Sequence, residues 1–288
     1  MGEPQRFHPL VGFGRVASYV ERLLYRGETH APRLCGVVGW TAMISPLLFL
    51  GLLLSLLEGI WLLIVEATIL YLAIGGRSLV EHAEAVYVAL QREDLPLAQQ
   101  QVARIVSRET DQMDRGQVSV ATVESVLENG SDAIFAPLFW YLIAGLPGVL
   151  LYRGINTLDA MWGYRNSRYR EYGWWSATVD DWVNWIPARL TALSYGLVGN
   201  WSHAIDAWKT QAQHCKSPNG GVVMAAGAGA LQVELGGEVY YHGVRGENPR
   251  LGCCQKASAE TIEQASELLS RSQWFWLVLL WLIVLVEG

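Results

Sequence analysis

The sequence has few charged residues and contains none of the loop motifs that hold a nucleotide or a covalent nucleophile. Only 17% of its 288 residues are charged, and the formal net charge of −6 gives no reason to expect nucleic-acid binding. It lacks GxxxxGK[ST], a GxGxxG that opens a helix, GxSxG and HExxH. Any nucleotide must therefore be held without those loops, and neither a hydrolase nucleophile elbow nor a zincin site is expected.

Cysteine and histidine are sparse. The four cysteines include no CxxC pair, and no Cys/His group has zinc spacing. Cys253 and Cys254 are adjacent and cannot easily pair with each other, so we expect reduced thiols, as in the cytoplasm. The six histidines are scattered, and we expect structural roles for them. The N-terminus has no basic start before an apolar core, so we expect no signal peptide and only internal membrane segments.

Apolar residues, by contrast, are abundant, at 51% of the chain with a mean hydropathy of +0.20. Residues 34–76 are almost all apolar and have room for two crossings of about 20 residues each, which predicts a helical hairpin. Residues 133–155 are apolar but interrupted by Pro137 and by the run 145–148. Broken backbone at membrane depth needs protein or a wet cavity around it, so this stretch predicts a re-entrant or broken hairpin.

We therefore predict an all-α, polytopic integral membrane protein with a re-entrant or broken helical hairpin and a cytoplasmic-face helical region. Arginines are concentrated in the first 33 residues and in 153–170, which places both on the cytoplasmic side of a bacterial inner membrane. The predicted segments of this single membrane-embedded catalytic domain, 1–288, are an amphipathic N-terminal segment (1–33), a helical hairpin (34–76), a cytoplasmic helical region (77–132), a broken hairpin (133–155), a polar motif region with short apolar helices (156–272) and a C-terminal membrane helix (273–288). The amphipathic segment fits a helix on the bilayer surface and an ordinary surface helix equally well.

Three acidic residues recur with helical spacing just before the broken hairpin. Glu124, Glu128 and Asp132 stand at i, i+4 and i+8, so a regular helix would place their carboxylates on one face. A solvated helix face and a functional cluster remain equally good interpretations.

A second polar group follows the broken hairpin. Asn156 and Asp159 lie at its exit, and Asp180 and Asp181 precede Asn184 by one helical turn. Paired carboxylates near substrate phosphates suit Mg²⁺. An aspartate that caps a helix start is the alternative for the Asp pair.

The segment KSPNGG (216–221) precedes a helix of small residues. Oriented N–H groups at such a helix start can bind phosphate, with Lys216 and Asn219 beside them. A plain turn explains the same residues equally well. The small residues of 222–235 predict close helix packing.

Together these motifs resemble the family that includes the cobalamin-biosynthesis proteins CbiB and CobD. The resemblance runs in family order over nearly the whole chain. It is carried by GEPQRFHPLVGFGR (2–15), GGRSLVEHAE (75–84), VSRETDQMD (106–114), ESVLENGSDAIFAPLFWYL (124–142), NTLDAMWGYRNSRYREYG (156–173), DDWVNWIPARL (180–190) and SPNGGVVMAAGAGALQVELGG (217–237).

The resemblance implies an adenosylcobinamide-phosphate synthase, an acid–amine ligase that uses ATP and Mg²⁺. It would join adenosylcobyric acid to (R)-1-aminopropan-2-ol phosphate and give adenosylcobinamide phosphate. The implied partners are these substrates and the lipid bilayer, with no nucleic acid, and a homo-oligomer stays open. The alternatives are a non-enzymatic membrane sensor of the related AmpE type and a small-solute transporter.

The implied ligase gives each polar cluster a hypothetical role. The metal ligands would be Asp159, Asp180 and Asp181, and the catalytic carboxylates would be Glu124, Glu128, Asp132 and Asp159. The substrate- and phosphate-binding residues would be Arg77, Arg108, Asn129, Asn156, Asn184, Arg189, Lys216 and Asn219.

The chain also departs from the family pattern. Many relatives have a Trp-Pro-Glu run where this chain has Val222, Val223 and Met224, so position 224 carries no essential carboxylate here. Relatives begin with an apolar helix before the first motif, whereas this sequence starts at the motif. The first crossing that the family pattern leads us to expect is therefore missing from this sequence.

Overall fold

The structure is a computed structural model that describes residues 9–25, 31–164, 166–241 and 244–287. Its helices in chain order are α1 (Pro9–Leu24), α2 (Pro32–Leu54), α3 (Gly59–Ala73), α4 (Gly76–Gln91), α5 (Leu95–Val102), α6 (Arg115–Gly130), α7 (Ala136–Trp162), α8 (Tyr169–Tyr172), α9 (Trp174–Val198), α10 (Trp201–Gln211), α11 (Gly220–Leu231) and α12 (Ala259–Glu287). A π-helical turn, Ser131–Phe135, follows α6. Residues 1–8 and 26–30 of the predicted N-terminal segment lie outside the described residues.

Within the described residues, three helical stretches are long and apolar enough to cross a membrane: Pro32–Leu54, Gly59–Gln91 and Arg115–Trp162. Large apolar side chains such as Phe49 and Trp61 are exposed, as lipid-facing side chains are. The chain is therefore a helical, polytopic membrane protein, which confirms the predicted fold class. The predicted C-terminal membrane helix corresponds to the end of α12, where the side chains of 283, 284 and 286–288 lie outside the description.

A small sheet, which the sequence does not predict, accompanies the helices. Strands β1 (Val233–Tyr241) and β2 (Val244–Gly252) pair antiparallel, and the short β3 (Gln255–Lys256) pairs parallel to β1, giving the order β2-β1-β3. The preceding helix, α11, ends at Leu231, and the next residue, Gln232, caps it with a left-handed φ of 57°. Helices usually end in this conformation at Gly or Asn. Because the residue at this position is a glutamine, the sequence gives no signal that the helix ends here.

The chain divides into two compact units, and the first comprises 1–74 and 136–184. Its core is formed by side chains from α1, α2, α7 and α9. Trp162 and Tyr172 pack edge to face there, with ring centroids 5.2 Å apart. These contacts fix the end of α7 close to the start of α9, which positions the first polar cluster described below.

Helix α7 contains the backbone break that the sequence predicts in 133–155. Ala144 has a φ of −136°, and Gly145 has a positive φ of 59°, which only glycine adopts readily. Pro147 follows inside the helix, where it removes a backbone hydrogen bond. The break itself is therefore present, and a re-entrant path through a bilayer stays a prediction.

An ion pair ties α1 to the polar loop of the same unit. The side chain of Glu21 is only 7% exposed and accepts hydrogen bonds from Arg168 Nη2 at 2.6 Å and Nε at 2.9 Å. The hydroxyl of Tyr169 donates to its other oxygen at 3.3 Å. A buried carboxylate is costly unless it is paired in this way. Its pairing therefore holds the loop of α8 against α1.

The second unit comprises 75–135 and 185–288. Helix α11 is its buried centre and packs against α6 and α10. A Cβ on Gly227 would lie 2.6 Å from the side chain of Leu127, and one on Gly229 would lie 2.3 Å from the carbonyl oxygen of His203. The glycines thus allow the close packing that the small residues of this segment predict. This packing brings the start of α11 against α6, where the second polar cluster lies.

Candidate functional site

The first polar cluster lies in the first unit and consists of Asn156, Asp159, Asp180, Asp181 and Asn184; we call it the aspartate cluster. α7 supplies Asn156 and Asp159 one turn apart, and α9 supplies the other three residues within its first half. All five are candidate site residues predicted from the sequence. The structure brings them together because side chains of α7 bond to α9 beside them: the hydroxyl of Tyr152 donates to Asn184, and the indole N–H of Trp140 donates to the backbone oxygen of Val183.

Asp180 is at the centre of the aspartate cluster. Asn184 donates a hydrogen bond to Oδ2 of Asp180 at 3.0 Å, and it accepts one in turn from the hydroxyl of Tyr152 at 2.9 Å. Asn156 also donates to Asp180. The other carboxylate oxygen, Oδ1, is buried and accepts no hydrogen bond from the described residues. A buried carboxylate oxygen without a donor is unfavourable and is usually matched by a cation or a water molecule.

Burial raises the pKa of Asp180 to about 7, and the neighbouring Asp159 carboxylate adds to the effect. The donating amides of Asn184 and Asn156 oppose the rise, and Asp181 reinforces it. Several acidic groups in one poorly solvated place cannot all ionise unless a positive charge joins them. One or two carboxylates plus substrate phosphates are the ligands that Mg²⁺ takes in proteins, so the aspartate cluster fits this ion.

Gly163 leaves the space that the Asp159 carboxylate occupies. A Cβ on Gly163 would lie 2.0 Å from Oδ1 of Asp159, a distance at which the carboxylate would have to move. The N–H of Gly163 also donates to the backbone oxygen of Asp159 at 2.7 Å. The glycine that follows α7 therefore sets the orientation of Asp159.

The second polar cluster lies in the second unit and consists of Arg108, Glu124, Glu128, Arg189 and Asn219; we call it the Arg–Glu cluster. Arg108 donates to Glu124 at 2.5 Å, and the two side chains are only 8% and 11% exposed. The N–H of Gly236 donates to the other oxygen of Glu124 at 2.9 Å. Glu124 is thus held on both sides and serves to fix Arg108.

Glu128 stands one turn after Glu124 and faces the start of α11. Its Oε1 is 2.2 Å from where a Cβ on Gly220 would be, so only glycine admits it. Arg189 donates to the side-chain oxygen of Asn219 at 2.5 Å and to the carbonyl oxygen of Pro218 at 3.1 Å. An acidic group and a guanidinium group therefore both meet the same turn.

The KSPNGG turn uses its own backbone donors. Oγ of Ser217 accepts from the N–H of Gly220 at 2.9 Å and from that of Asn219 at 3.3 Å. The N–H of Gly221 donates to the backbone oxygen of Ser217. Because these N–H groups already donate within the turn, any phosphate here is expected to bind to side chains and not to the N–H groups at the helix start. Of those side chains, Lys216 is exposed.

Other predicted residues of this unit lie outside the Arg–Glu cluster. Arg77 is 89% exposed and pairs with Glu81 along its own helix at 2.8 Å. Asn129 is exposed and donates to Ser125. Asp132 is in the π-helical turn, where the backbone spacing changes from i+4 to i+5. The regular helix that would align Asp132 with Glu124 and Glu128 therefore ends at Gly130.

Several residues that shape the two clusters are not predicted from the sequence. Tyr152 orients Asn184, Gly163 admits Asp159, and Gly236 donates to Glu124. Two of the three act through backbone or through the lack of a side chain, so residue type alone gives no signal. The GY pair after Asp159 is the one visible hint, because it belongs to a motif of the resemblance.

A family model described as CobD/Cbib protein matches residues 1–269 of the chain. No solved structure gives a significant match.

Similar curated proteins cover almost the full length of the chain. The chain is 52% identical over 281 residues to a protein of Stutzerimonas stutzeri named Cobalamin biosynthesis protein CobD, with 97% of this chain and 92% of that protein covered. A protein of the same name from Chromobacterium violaceum is 50% identical over 287 residues, with 97% and 91% covered. One from Mycobacterium tuberculosis is 39% identical over 262 residues, with 87% and 81% covered.

Proposed function

Because this chain belongs to the CobD/Cbib protein family, we propose that it is an enzyme of cobalamin biosynthesis and, more specifically, an adenosylcobinamide-phosphate synthase. It would join the free propionate of adenosylcobyric acid to the amine of (R)-1-aminopropan-2-ol phosphate at the expense of ATP. We place the reaction at the cytoplasmic face of a bacterial inner membrane, where ATP is present.

The proposed reaction has two balanced steps. A carboxylate is a poor acyl donor, so its oxygen first attacks the γ-phosphorus of ATP, and ADP leaves. The amine then attacks the carbonyl carbon of the mixed anhydride, and inorganic phosphate leaves as the amide forms. The protein must hold the phosphates in line and must accept the proton that the amine loses.

The aspartate cluster supports the first step. Asp159, Asp180 and Asp181 would hold Mg²⁺, and Asn156 and Asn184 would keep the carboxylate of Asp180 in place. When bound, the ion neutralises the charge that develops on the transferring phosphoryl group. The observation that carries this proposal is the buried Oδ1 of Asp180, which lacks a donor among the described residues.

The Arg–Glu cluster supports binding of aminopropanol phosphate and removal of the proton that its amine loses. Arg189 and Lys216 are both beside the turn at the start of α11 and would bind phosphate oxygens. Glu128 faces the same turn and would accept the amine proton. Arg108 is buried against Glu124. Its positive charge would offset the negative charges of Glu124 and Glu128 and keep the groups of this cluster in position.

Turnover by the purified full-length protein in detergent tests the proposal. The protein is given adenosylcobyric acid, aminopropanol phosphate, ATP and Mg²⁺, and the corrinoid products are identified by mass. We expect a product heavier by the amide-linked aminopropanol phosphate, formed only when ATP and the amine are both present. A folded sample that binds the corrinoid but yields no product would instead support the non-enzymatic sensor of the AmpE type.

Mg²⁺ binding is expected to weaken as the pH falls below about 7. The pKa of Asp180 is raised to about 7, so at lower pH a proton competes with the metal for this carboxylate. In the absence of metal, the free energy of unfolding should change with pH in the opposite direction. The fold loses stability as the pH rises towards about 7, because burial disfavours the ionised form of Asp180. Calorimetric Mg²⁺ titrations between pH 6 and pH 8, paired with melting curves, measure both trends. An affinity independent of pH over this range would contradict the assignment of Asp180.

Gly163→Ala is expected to weaken Mg²⁺ binding although it removes no ligand. The new Cβ would occupy the position of the Asp159 carboxylate and turn it away from Asp180 and Asp181. Displacing a ligand through its supporting contacts typically costs about 10- to 100-fold in metal affinity. Gly12→Ala is the matched control, because a Cβ there meets no atom within 4 Å. Equal Mg²⁺ affinities in the two variants would show that Gly163 does not position the ligand.

A further inference from the structure

One histidine and two adjacent cysteines of the second unit converge outside both clusters. His203 is in the first turn of α10, and Cys253 and Cys254 follow the end of β2. One ring nitrogen of His203 and the two Sγ atoms all lie within 4.8 Å of one another. All four cysteines of the chain are free thiols. Sequence spacing does not reveal this group, because His203 is separated from the cysteine pair by about a sixth of the chain.

The fold holds the three side chains through backbone contacts. Asn200 caps α10 by accepting from the N–H of His203 at 3.1 Å. The N–H of Cys253 donates to Val233 at 3.2 Å, and that of Gln255 donates to Gln232 at 3.2 Å. These bonds tie the cysteine turn to the segment that leaves α11.

The backbone at this place adopts an unfavourable conformation. Among the described residues, three that are not glycine have a positive φ. One of them, Cys254, is in this turn, and a second, Gln232, accepts a hydrogen bond from the N–H of Gln255 at its end. The φ of Cys254 is 79°, a value that L-residues rarely adopt. The Sγ atoms of Cys254 and Cys253 are 2.6 Å apart. Residues in such conformations concentrate at functional sites, where the surroundings enforce them.

The three groups have the chemistry and reach of a soft metal site. Zn²⁺ binds thiolate at about 2.3 Å and imidazole at about 2.0 Å, so in a tetrahedral site sulfur and nitrogen stand about 3.5 Å apart and two sulfurs about 3.8 Å apart. The Sγ atoms of Cys253 and Cys254 are now 2.6 Å apart, so the two side chains must rotate away from each other when a metal ion binds. The amide of Gln232 is 3.5 Å from Nδ1 of His203, where it can orient the ring. Asp206 and Glu234 act electrostatically on Cys253, and their negative charge favours a cation.

We propose that His203, Cys253 and Cys254 form a binding site for a thiophilic divalent cation of the Zn²⁺ class. Each thiol gives up its proton as the metal binds, so two protons are released to the solvent. Cys254 is exposed, so the metal has access from solvent and a fourth ligand, water or a small molecule, can complete a tetrahedron. The site does not depend on the proposed ligase activity, and its test measures metal alone.

Titration of the reduced, full-length protein with Co²⁺ tests this site. We expect one Co²⁺ per chain with a thiolate-to-metal charge-transfer band and the intense visible bands of tetrahedral cobalt, and Zn²⁺ should displace it. Cys253→Ser and Cys254→Ser should each lower Co²⁺ affinity at least about tenfold. Each variant keeps only one of the two thiolate ligands, so the thiolate-to-metal charge-transfer band should also lose intensity. Cys35→Ser, which removes a free thiol of the first unit, is the matched control and should change neither.

A second measurement keeps the inference testable if a serine variant does not fold. In the unaltered protein, Zn²⁺ should slow maleimide labelling of Cys253 and Cys254, read by peptide mass, and leave Cys35 labelling unchanged. Equal labelling rates with and without Zn²⁺, or Co²⁺ bands that survive in the double serine variant, would overturn the inference. A cysteine pair that is isolated as a vicinal disulfide and binds no metal after reduction would overturn it as well.

Discussion

Asp180→Asn is expected to abolish Mg²⁺-dependent turnover while the protein stays folded. Asparagine keeps the volume of the side chain and the oxygen that accepts the hydrogen bond from Asn184. It removes the negative charge that a metal ion requires. Loss of a group that stabilises transition-state charge costs about 100- to 1,000-fold in kcat. We expect at least that loss here, together with weaker Mg²⁺ binding.

The stability of this variant separates a metal site from a structural one. The Asp180 carboxylate is buried, and its Oδ1 has no donor in the described part of the chain. Its ionised form is therefore unfavourable without metal, and the neutral asparagine should leave Tm unchanged or raise it at pH 8. A structural carboxylate would show the reverse, with a lower Tm and an activity loss no larger than the loss of folded protein.

Asp181→Ala extends the test to a second ligand, and Glu267→Gln is its control. Glu267 is exposed on α12, so its removal takes away one carboxylate without touching either cluster. We expect Asp181→Ala to lose turnover as Asp180→Asn does, and Glu267→Gln to keep it. Intact turnover in Asp181→Ala would remove Asp181 from the metal site.

The sequence predicts the helical membrane fold well because apolar run length is a direct physical requirement of a bilayer. Residues 34–76 must contain two helices, and the structure has α2 and α3 there. The small sheet is not predicted, because α11 ends at Leu231 and its cap, Gln232, adopts a left-handed conformation that is not expected of a glutamine. Tertiary packing, rather than local propensity, sets that end.

The candidate site is predicted only in part, because tertiary packing also decides which of its residues come together. The aspartate cluster follows from the sequence because its members occur in two short motifs, and the pairing of α7 with α9 then brings the motifs together. Asp132 is different, since the π-helical turn breaks the spacing on which its selection rests. His203 and the two cysteines are distant in sequence, and only the packing of α10 and α11 against the sheet joins them.

Arg108→Ala is expected to destabilise the second unit strongly. Its partner Glu124 is only 11% exposed, and without Arg108 the carboxylate keeps, among the described residues, the N–H of Gly236 as its hydrogen-bond donor. Glu128 also loses a favourable interaction with the guanidinium. Removing one partner of a buried ion pair typically costs about 3 to 5 kcal/mol, which corresponds to a fall in Tm of about 10 °C for a domain of this size.

The double variant Arg108→Met with Glu124→Leu distinguishes the two roles that the pair could have. Apolar replacement of both partners of a buried pair is often neutral for stability, so we expect the Tm to recover towards that of the unaltered protein. If Arg108 positions the groups that bind phosphate, turnover should stay lost in this folded protein, with a rise in KM for aminopropanol phosphate. Recovery of turnover together with Tm would show that the pair serves the fold alone. Arg77→Ala is the control, because this arginine is 89% exposed and its loss should change Tm little.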